Sequence, residues 1–427
     1  MSTPDPMPAK RKRRRSGTAK WHMSRAAVDL SLPKIYAMPD KECLQFLVQA
    51  RWGSAETVRC PHCGSITNHY YRPLERRWKC RACDRAFSVT SDTVFAARKL
   101  RLQDIIGGAL LWINSAAGQP ALELKRHFDK TYNTAFTLQH KMREALVRGY
   151  NVGLLSGDIE MDGAHASGKD SVARRGRPQI SKPDTKDTPV EELQAVIEEA
   201  SMTGVSQQKR RNQRRKAAAK NPDAPRDPVY RTQFPGDRRQ FITMRKRSGV
   251  RGYGAIASKV AISKAEDAAS ITAVISDFVA KGESFLNTDG FGPYAEPGEG
   301  FIEHRQANHS EALVGPNGEN NNLSEELNFR MDRAEQGVYL NLEPKYLLDY
   351  AVETAFRADT RRMPNGSQLQ IALHLALNVG LSRYWRGFTH GRHRGQELTH
   401  PHHAPARSSG PAKGRNPRSP SSGRPPR

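Results

Sequence analysis

The chain is 427 residues long and carries 68 Lys and Arg against 44 Asp and Glu, a formal charge of +24. That length suits two or three domains with separate cores, and no apolar run is long enough to cross a bilayer. The opening MSTPDPMPAKRKRRR is basic with no apolar segment behind it, unlike a secretory signal, so membrane and secreted roles are excluded and a cytoplasmic location is expected. Positive charge recurs in three places: residues 10–15, KRRNQRRKAAAK at 209–220, and the tail beyond Arg383. One such run is most simply a solvated face, but the recurrence points to nucleic acid rather than a small molecule as partner.

In chain order, residues 1–37 read as a disordered basic arm. PDKECLQFLVQARW then sets Cys43, Phe46, Leu47 and Ala50 at helical spacing, a short amphipathic helix opening a cysteine-bearing segment, 38–98. Residues 99–150 are rich in helix formers, with breaks at Gly118-Gln119-Pro120 and near 129–133. An α/β domain is expected over 151–365. It starts with the strand-like GDIEMDGAH and is interrupted by a polar insertion at about 167–237, too long for a structureless loop inside a compact domain. Strands follow at RRQFITMRKRS and YGAIASKVAIS, then a helix at 265–281, the strand SFLNTD, and helices at about 322–336 and 344–362. An apolar helix at 367–379 and a disordered basic tail complete 366–427.

Cys60-Pro-His-Cys63-Gly and Lys79-Cys80-Arg-Ala-Cys83 form CxxC, sixteen residues, CxxC. Two such knuckles bring four thiolates to one structural Zn²⁺ with no open coordination position. Disulfides are disfavoured in a cytosolic protein, and a redox CxxC needs no matched second pair. Gly64 suits the tight turn after Cys63, Trp78 and Phe87 can pack beside the metal, and Cys43 reads as a buried apolar side chain. The segment ALELKRHFDKTYNTAFTLQHKMREAL has the form of a helix, a turn and a recognition-like helix, on which Gln139, His140, Lys141 and Arg143 could face DNA.

Asp162 closes one strand-like run and Asp289 another, each followed by Gly. Taken singly, Asp-Gly is most simply a turn. As a pair with strands between them and a helix before the second, they fit phosphodiester chemistry, in which carboxylates from separate segments converge on two Mg²⁺ or Mn²⁺ ions. A third acid is offered by NNNLSEELNFRMD. Its stripe of Leu323, Leu327, Met331 and Ala334 leaves Glu326 nearest the apolar edge, and Glu325 and Asp332 opposite.

The ribbon segment resembles the one that opens many bacterial insertion-sequence transposases. From about residue 38 to 362 the order of GDIEMDGAHASGKD, LNTDGFGPY, EHRQANHSEAL, the Asn-to-Glu stretch and GVYLNLEPKYLLDYAVETAFRADTRR resembles DDE-type transposases of the ISXO-like group. The resemblance implies an RNase H-like catalytic domain after the ribbon and a small α-helical DNA-binding segment. It implies cleavage and strand transfer at an element's ends, with Asp162, Asp289 and a later acid binding the ions. Spacing counted back from Gly337-Val338-Tyr339 makes that acid Glu325 with Asn322 as its companion, against the Glu326 that the stripe favours. Histidines in the family's corresponding region imply support from His304 and His309. Glu353, Arg357 and Arg361 match its closing helix, the two arginines as DNA contacts. Terminal inverted repeats and target DNA are the implied partners, with self-association on DNA and a nucleoid location.

Three departures from the family pattern stand out: Gly163 where an acid usually follows the first aspartate, Ala164-His165-Ala166-Ser167-Gly168 where a glycine-rich Tyr-containing stretch is usual, and Asn328 and Asp332 where an aromatic and a lysine are usual, with Phe329 one place after the aromatic's slot. The rival readings are a DNA-binding regulator with a dead catalytic domain, a zinc-ribbon RNA-binding protein, and a nuclease that cuts without joining. A regulator has no need of the acid trio, and an RNA-binding protein leaves 150–362 unexplained. The histidines at 165, 304 and 309 are more simply hydrogen-bonding groups than metal ligands.

Overall fold

The computed structural model describes residues 21, 23–166, 239–250, 252–264, 266–289, 292–294, 296–307, 320–339 and 342–400. The expected insertion, the basic clusters at 10–15 and 209–220, His309 and the end of the tail lie outside them.

The amphipathic segment near 38–50 is helix α2 (Asp40–Trp52), preceded by the short α1 (Leu32–Ala37). Its buried face includes Cys43, Leu44, Leu47 and Val48, and it ends on Gly53 in the left-handed region. Three short strands follow, β1 (Tyr70–Arg72), β2 (Arg77–Lys79) and β3 (Ala86–Phe87), paired antiparallel in sequence order. Trp78 and Phe87 stack at 5.9 Å with Trp52 of α2 edge-on to both, so aromatic packing joins the small sheet to the helix.

Next come α3 (Leu102–Asn114), α4 (Ala121–Phe128) and α5 (Tyr132–Gly149). Thr131 caps α5, accepting from the Thr134 amide. The chain then enters a five-stranded sheet of β4 (Leu155–Ala166), β5 (Arg239–Arg247), β6 (Ala255–Ser263), β7 (Val279–Asp289) and β8 (Glu303–Ala307). Its order is β6-β5-β4-β7-β8, with β4, β5 and β6 antiparallel and β7 and β8 parallel to β4. Helix α6 (Ala268–Phe278) makes the crossover to β7. It ends three residues earlier than expected because Val279 already pairs with Leu155. Strand β8 was not expected at all: its five residues EHRQA contain no apolar alternation.

Period-two alternation divides the sheet. Ile159 and Met161 of β4 join Ile242, Met244, Leu286 and the apolar face of α6 in one core. The intervening Glu160 and Asp162 face α7 (Asn322–Ala334), which is followed by a π-helical turn, Glu335–Tyr339. On that side Phe241, Val260 and Ile262 share a larger core with α7, α8 (Leu347–Thr360), α9 (Asn365–Asn378), the earlier helices and the ribbon. The apolar helix α9 packs on α2, α3 and α5, so helices from both sides of the sheet-forming segment close one helical body.

Helix α5 lies at the centre of that body, and this corrects its reading as a recognition helix. Gln139, His140 and Arg143 are all buried, and Lys141 is half-buried. Arg143 pairs with Glu353 of α8 at 2.5 Å, each side chain 1% exposed, and its guanidinium lies 4.2 Å over the Tyr350 ring. Burial works against the charge, but Glu353 and the tyrosines raise the pKa of Arg143 further. Arg143 is therefore a structural cation, not a DNA contact. Arg357 is likewise engaged, with Glu353 at 2.6 Å and the carbonyls of Ile113 and Ser115. These carbonyls end α3, so the Glu353–Arg357 pair ties α8 to the N-terminal helices. Arg361 is partly exposed and bonds to the Ala358 and Tyr253 carbonyls.

Removing one member of a buried pair leaves an uncompensated charge. Glu353→Ala should cost about 3–5 kcal/mol of unfolding free energy, measured by urea denaturation, whereas Arg361→Ala should cost far less.

Candidate metal centres and active site

The two knuckles of the ribbon repeat each other atom for atom. The Cys60 amide bonds to Ser65 O and the Gly64 amide to Cys60 O, and the Cys80 amide bonds to Arg85 O and the Asp84 amide to Cys80 O. Both turns need a left-handed residue after the second cysteine, Gly64 at φ 77° and Asp84 at φ 62°. The result gathers the four sulfurs within 4.8 Å of one another, with Cys60–Cys83 at 3.8 Å and Cys63–Cys80 at 3.6 Å. A tetrahedron with Zn–S of about 2.3 Å has edges of about 3.8 Å. The four cysteines can therefore hold a zinc ion with little movement.

The second centre is built where the pairing of β4 with β7 stops: Asp289 is the last residue of β7, whereas β4 does not end at Asp162 as expected but runs on to Ala166 against β5. These strands pair in parallel up to Glu160↔Asn287, and Asp162 and Asp289 each stand two residues further on. The same alternation that buries Met161 turns both carboxylates toward α7. There Asn328 Nδ2 donates to Asp162 Oδ2 at 2.7 Å. Thr243 on β5 donates to the Asp162 carbonyl at 3.2 Å. Burial raises the pKa of Asp162 to about 7; Asp289, Glu325 and Glu266 push the same way and the Asn328 bond opposes them. Both expected aspartates and Glu325 thus act on one another electrostatically. Among the described residues, however, only the cysteines bring three or more ligand atoms within 4.8 Å. The acids form an open arc and not a single-ion cage.

Helix α7 is held over that arc by a residue the sequence reading did not single out. Glu160 is buried, and its Oε2 accepts the backbone amides of Leu323 at 2.6 Å and Ser324 at 3.4 Å. These are amides of the first helical turn, where a carboxylate is favoured. Arg247 on β5 completes the joint, donating to Glu160 Oε1 at 2.6 Å and to Asn320 O at 2.6 Å. Alternation in β4 places an acid at 160 on the face of Asp162, but nothing in the sequence says that its partner is a helix end.

The geometry separates the two glutamates of the Asn-to-Glu stretch. Glu326 pairs with Arg330 at 2.6 Å and with the buried Arg245 at 3.2 Å. Burial alone would raise its pKa, but these arginines hold it low. Glu325, one residue back, is exposed at the start of α7 and acts on Asp162. The amphipathic stripe is thus right that Glu326 points inward, and what it points at is Arg245. Asn322 is exposed on the first turn of α7. His304 on β8 shares a hydrogen bond with Thr288, beside Asp289, at 2.9 Å, and burial lowers its pKa. His165 bonds to Gln240 at 2.7 Å.

The departures at 163 and 328 have physical reasons. A Cβ at Gly163 would lie 1.9 Å from Glu266 Oε1, so no side chain fits there while Glu266 keeps its place. Asn328 is where Asp162 is held, and a ring without a donor, such as phenylalanine, could not make that bond.

Two measurements bear on these centres. The protein should contain one zinc per chain by mass spectrometry of the metal, lost in Cys80→Ser. In magnesium-free buffer, an Asp162 carboxyl raised to about 7 keeps its proton when folded, whereas an unfolded chain releases it near 4. This contribution to stability should decline as pH rises from about 4 to 7, and Asp162→Asn should remove it, as thermal melts across that window will show.

Comparison with protein-family models finds two matches. Residues 38–86 match the transposase zinc-ribbon domain and residues 187–359 match the ISXO2-like transposase domain of the IS1595 type. The second span contains Asp289 and Glu325 and begins beyond Asp162. No curated protein and no solved structure matches. No described helix is long and apolar enough to cross a membrane. With the ribbon and the transposase domain in the family's order, the chain belongs to the ISXO2-like (IS1595) transposases.

Proposed function

We propose that the sheet β6-β5-β4-β7-β8 with its flanking helices is an RNase H-like catalytic domain within 151–365, and that it cuts and joins DNA at an insertion sequence's ends. The observation that carries this reading is the position of Asp162 and Asp289, each two residues beyond the last paired residues of adjacent parallel strands, with Glu325 on α7 close enough to act on Asp162. Two Mg²⁺ or Mn²⁺ ions suit this oxygen-rich arc. When bound, such ions supply an activated oxygen nucleophile and neutralise charge on the leaving oxygen.

The chain's own residues then have distinct tasks. Asn328 fixes one oxygen of Asp162 and leaves the other to face the ions. Glu160 and Arg247 fix the start of α7 and so the place of Glu325, while Thr288 and His304 brace the end of β7. Asn322, exposed one turn before Glu325, faces the DNA side of the centre, and His309 is proposed to support it from the following segment. The ribbon and helices of 38–150 are proposed to bind the terminal repeats. With α5 buried, the contacts from the helical segment fall to the exposed Lys125 and Arg126 of α4 and to Lys141. Arg361 remains a candidate at the edge of α8. Self-association on DNA and a nucleoid location follow from this role.

A regulator with an inert catalytic domain would gain nothing from burying Asp162 among three other acids, a costly arrangement in the absence of cations. Asp162→Asn and Asp289→Asn should each reduce Mg²⁺-dependent cleavage of a DNA carrying the element's ends by at least a thousandfold, with DNA affinity in a gel-shift assay unchanged. Cleavage surviving in either variant would refute this assignment. Lys125→Ala with Arg126→Ala should instead weaken DNA binding and flatten its salt dependence.

A further inference from the structure

The backbone just after Asp162 is pressed by an acid that belongs to no strand. Glu266 lies in the short link between β6 and α6, and its Oε1 comes within 1.9 Å of where a Cβ on Gly163 would be. Tyr294 holds it there, donating its hydroxyl to the same oxygen at 2.8 Å. Tyr294 is itself fully buried in the α6-side core, so the anchor is rigid. Asp267, the next residue, caps α6 by accepting from the Ser270 amide at 2.8 Å, which fixes the link at its other end.

Glu266 therefore reaches β4 just after Asp162 from the α6 side, while Glu325 and Asn328 approach from the α7 side. Asp162 and Asp289 stand between them. Asn328 supplies an independent sign that this space receives a ligand. It is 7% exposed and bonded to Asp162 through Nδ2, but its Oδ1 has no partner among the described residues. A buried amide oxygen left unpaired is costly, and a cation or its water shell would satisfy it.

We propose that Glu266 is a fourth carboxylate of the divalent-cation site where the pairing of β4 with β7 stops, reaching the ions over the bare backbone of Gly163. This rests on the two-ion reading above. A side chain at 163 and the carboxylate of Glu266 exclude one another, so the glycine makes room for an acid delivered from another segment. Tyr294 is the positioning residue, orienting the carboxylate by occupying one of its oxygens.

The test is Mn²⁺ titration of the full-length, zinc-loaded protein, with free Mn²⁺ read by electron paramagnetic resonance. Glu266→Gln keeps the shape and the Tyr294 bond, and should weaken Mn²⁺ binding roughly 10- to 100-fold, on the scale of lost metal-site partners. Glu266→Ala should do the same, and adding Gly163→Asp to it should restore affinity by returning a carboxylate to the vacated space. Wild-type affinity in Glu266→Gln, with binding lost in Asp162→Asn, would overturn the proposal and leave the two-ion reading intact. A double variant binding no more tightly than Glu266→Ala would assign Glu266 to packing. Absence of saturable Mn²⁺ binding in the wild type would overturn both.

Discussion

The joint between Glu160 and the start of α7 is the contact on which the candidate active site depends. A strand residue and a helix far away in sequence have no covalent reason to keep register. Here one carboxylate accepts two amides of the helix's first turn and an arginine from the neighbouring strand. Because Glu160 and Asp162 share a face of β4, the helix start held by the first is set over the second. Asn328 then meets Asp162 nearly two turns along α7, and Glu325 comes to the same end of the sheet. Burial raises the pKa of Glu160, and Arg247 and the helix amides offset that penalty. The joint is thus at once electrostatic and geometric: without Arg247 the acid would be buried with less compensation, and without the acid the helix amides would lack partners.

The same alternation organises the rest of the sheet. One face of β4 is apolar and packs on α6, whereas the other carries acids and meets α7. Farther along that second face the sheet meets α8 through a charged layer: Arg245, fully buried, pairs with Asp359 at 3.3 Å and also reaches Glu326. Arg143, Glu353 and Arg357 form a similar layer between α8 and the N-terminal helices. A basic protein has many cations to place. This one buries several of them against carboxylates, so those arginines are not available to an approaching DNA, although each such pair leaves the net charge unchanged.

That distinction explains what was legible in the sequence. The ribbon was, because metal ligation demands a spacing that few other structures need, and the four sulfurs lie where CxxC and CxxC imply. Most strands and helices were, through their periodicity, although β8 escaped because its residues are polar. The burial of α5 was not legible. A helix with polar and basic residues looks amphipathic, but Gln139, His140 and Arg143 are paired inside with Gln119, Tyr350 and Glu353. Periodicity reports where polar groups lie around a helix and cannot report that another helix brings their counter-charges. Glu326 shows the same limit in miniature: the apolar stripe located its direction correctly and could not identify Arg245 as its partner.

The departures from the family pattern follow a related logic, because a residue's meaning depends on who occupies the neighbouring space. Gly163 in isolation is a lost acid. Beside Glu266 it is the only residue small enough to let a carboxylate approach β4 just after Asp162. Asn328 in isolation is a lost aromatic, yet in place it donates to Asp162 and stabilises the charged form against the pull of burial and three nearby acids. A ring without a donor at that position would leave Asp162 with desolvation and repulsion unopposed, and the carboxyl would hold its proton more tightly. The two departures therefore act on one aspartate from opposite faces of the sheet. Reverting either one alone would disturb the balance that the pair maintains around Asp162.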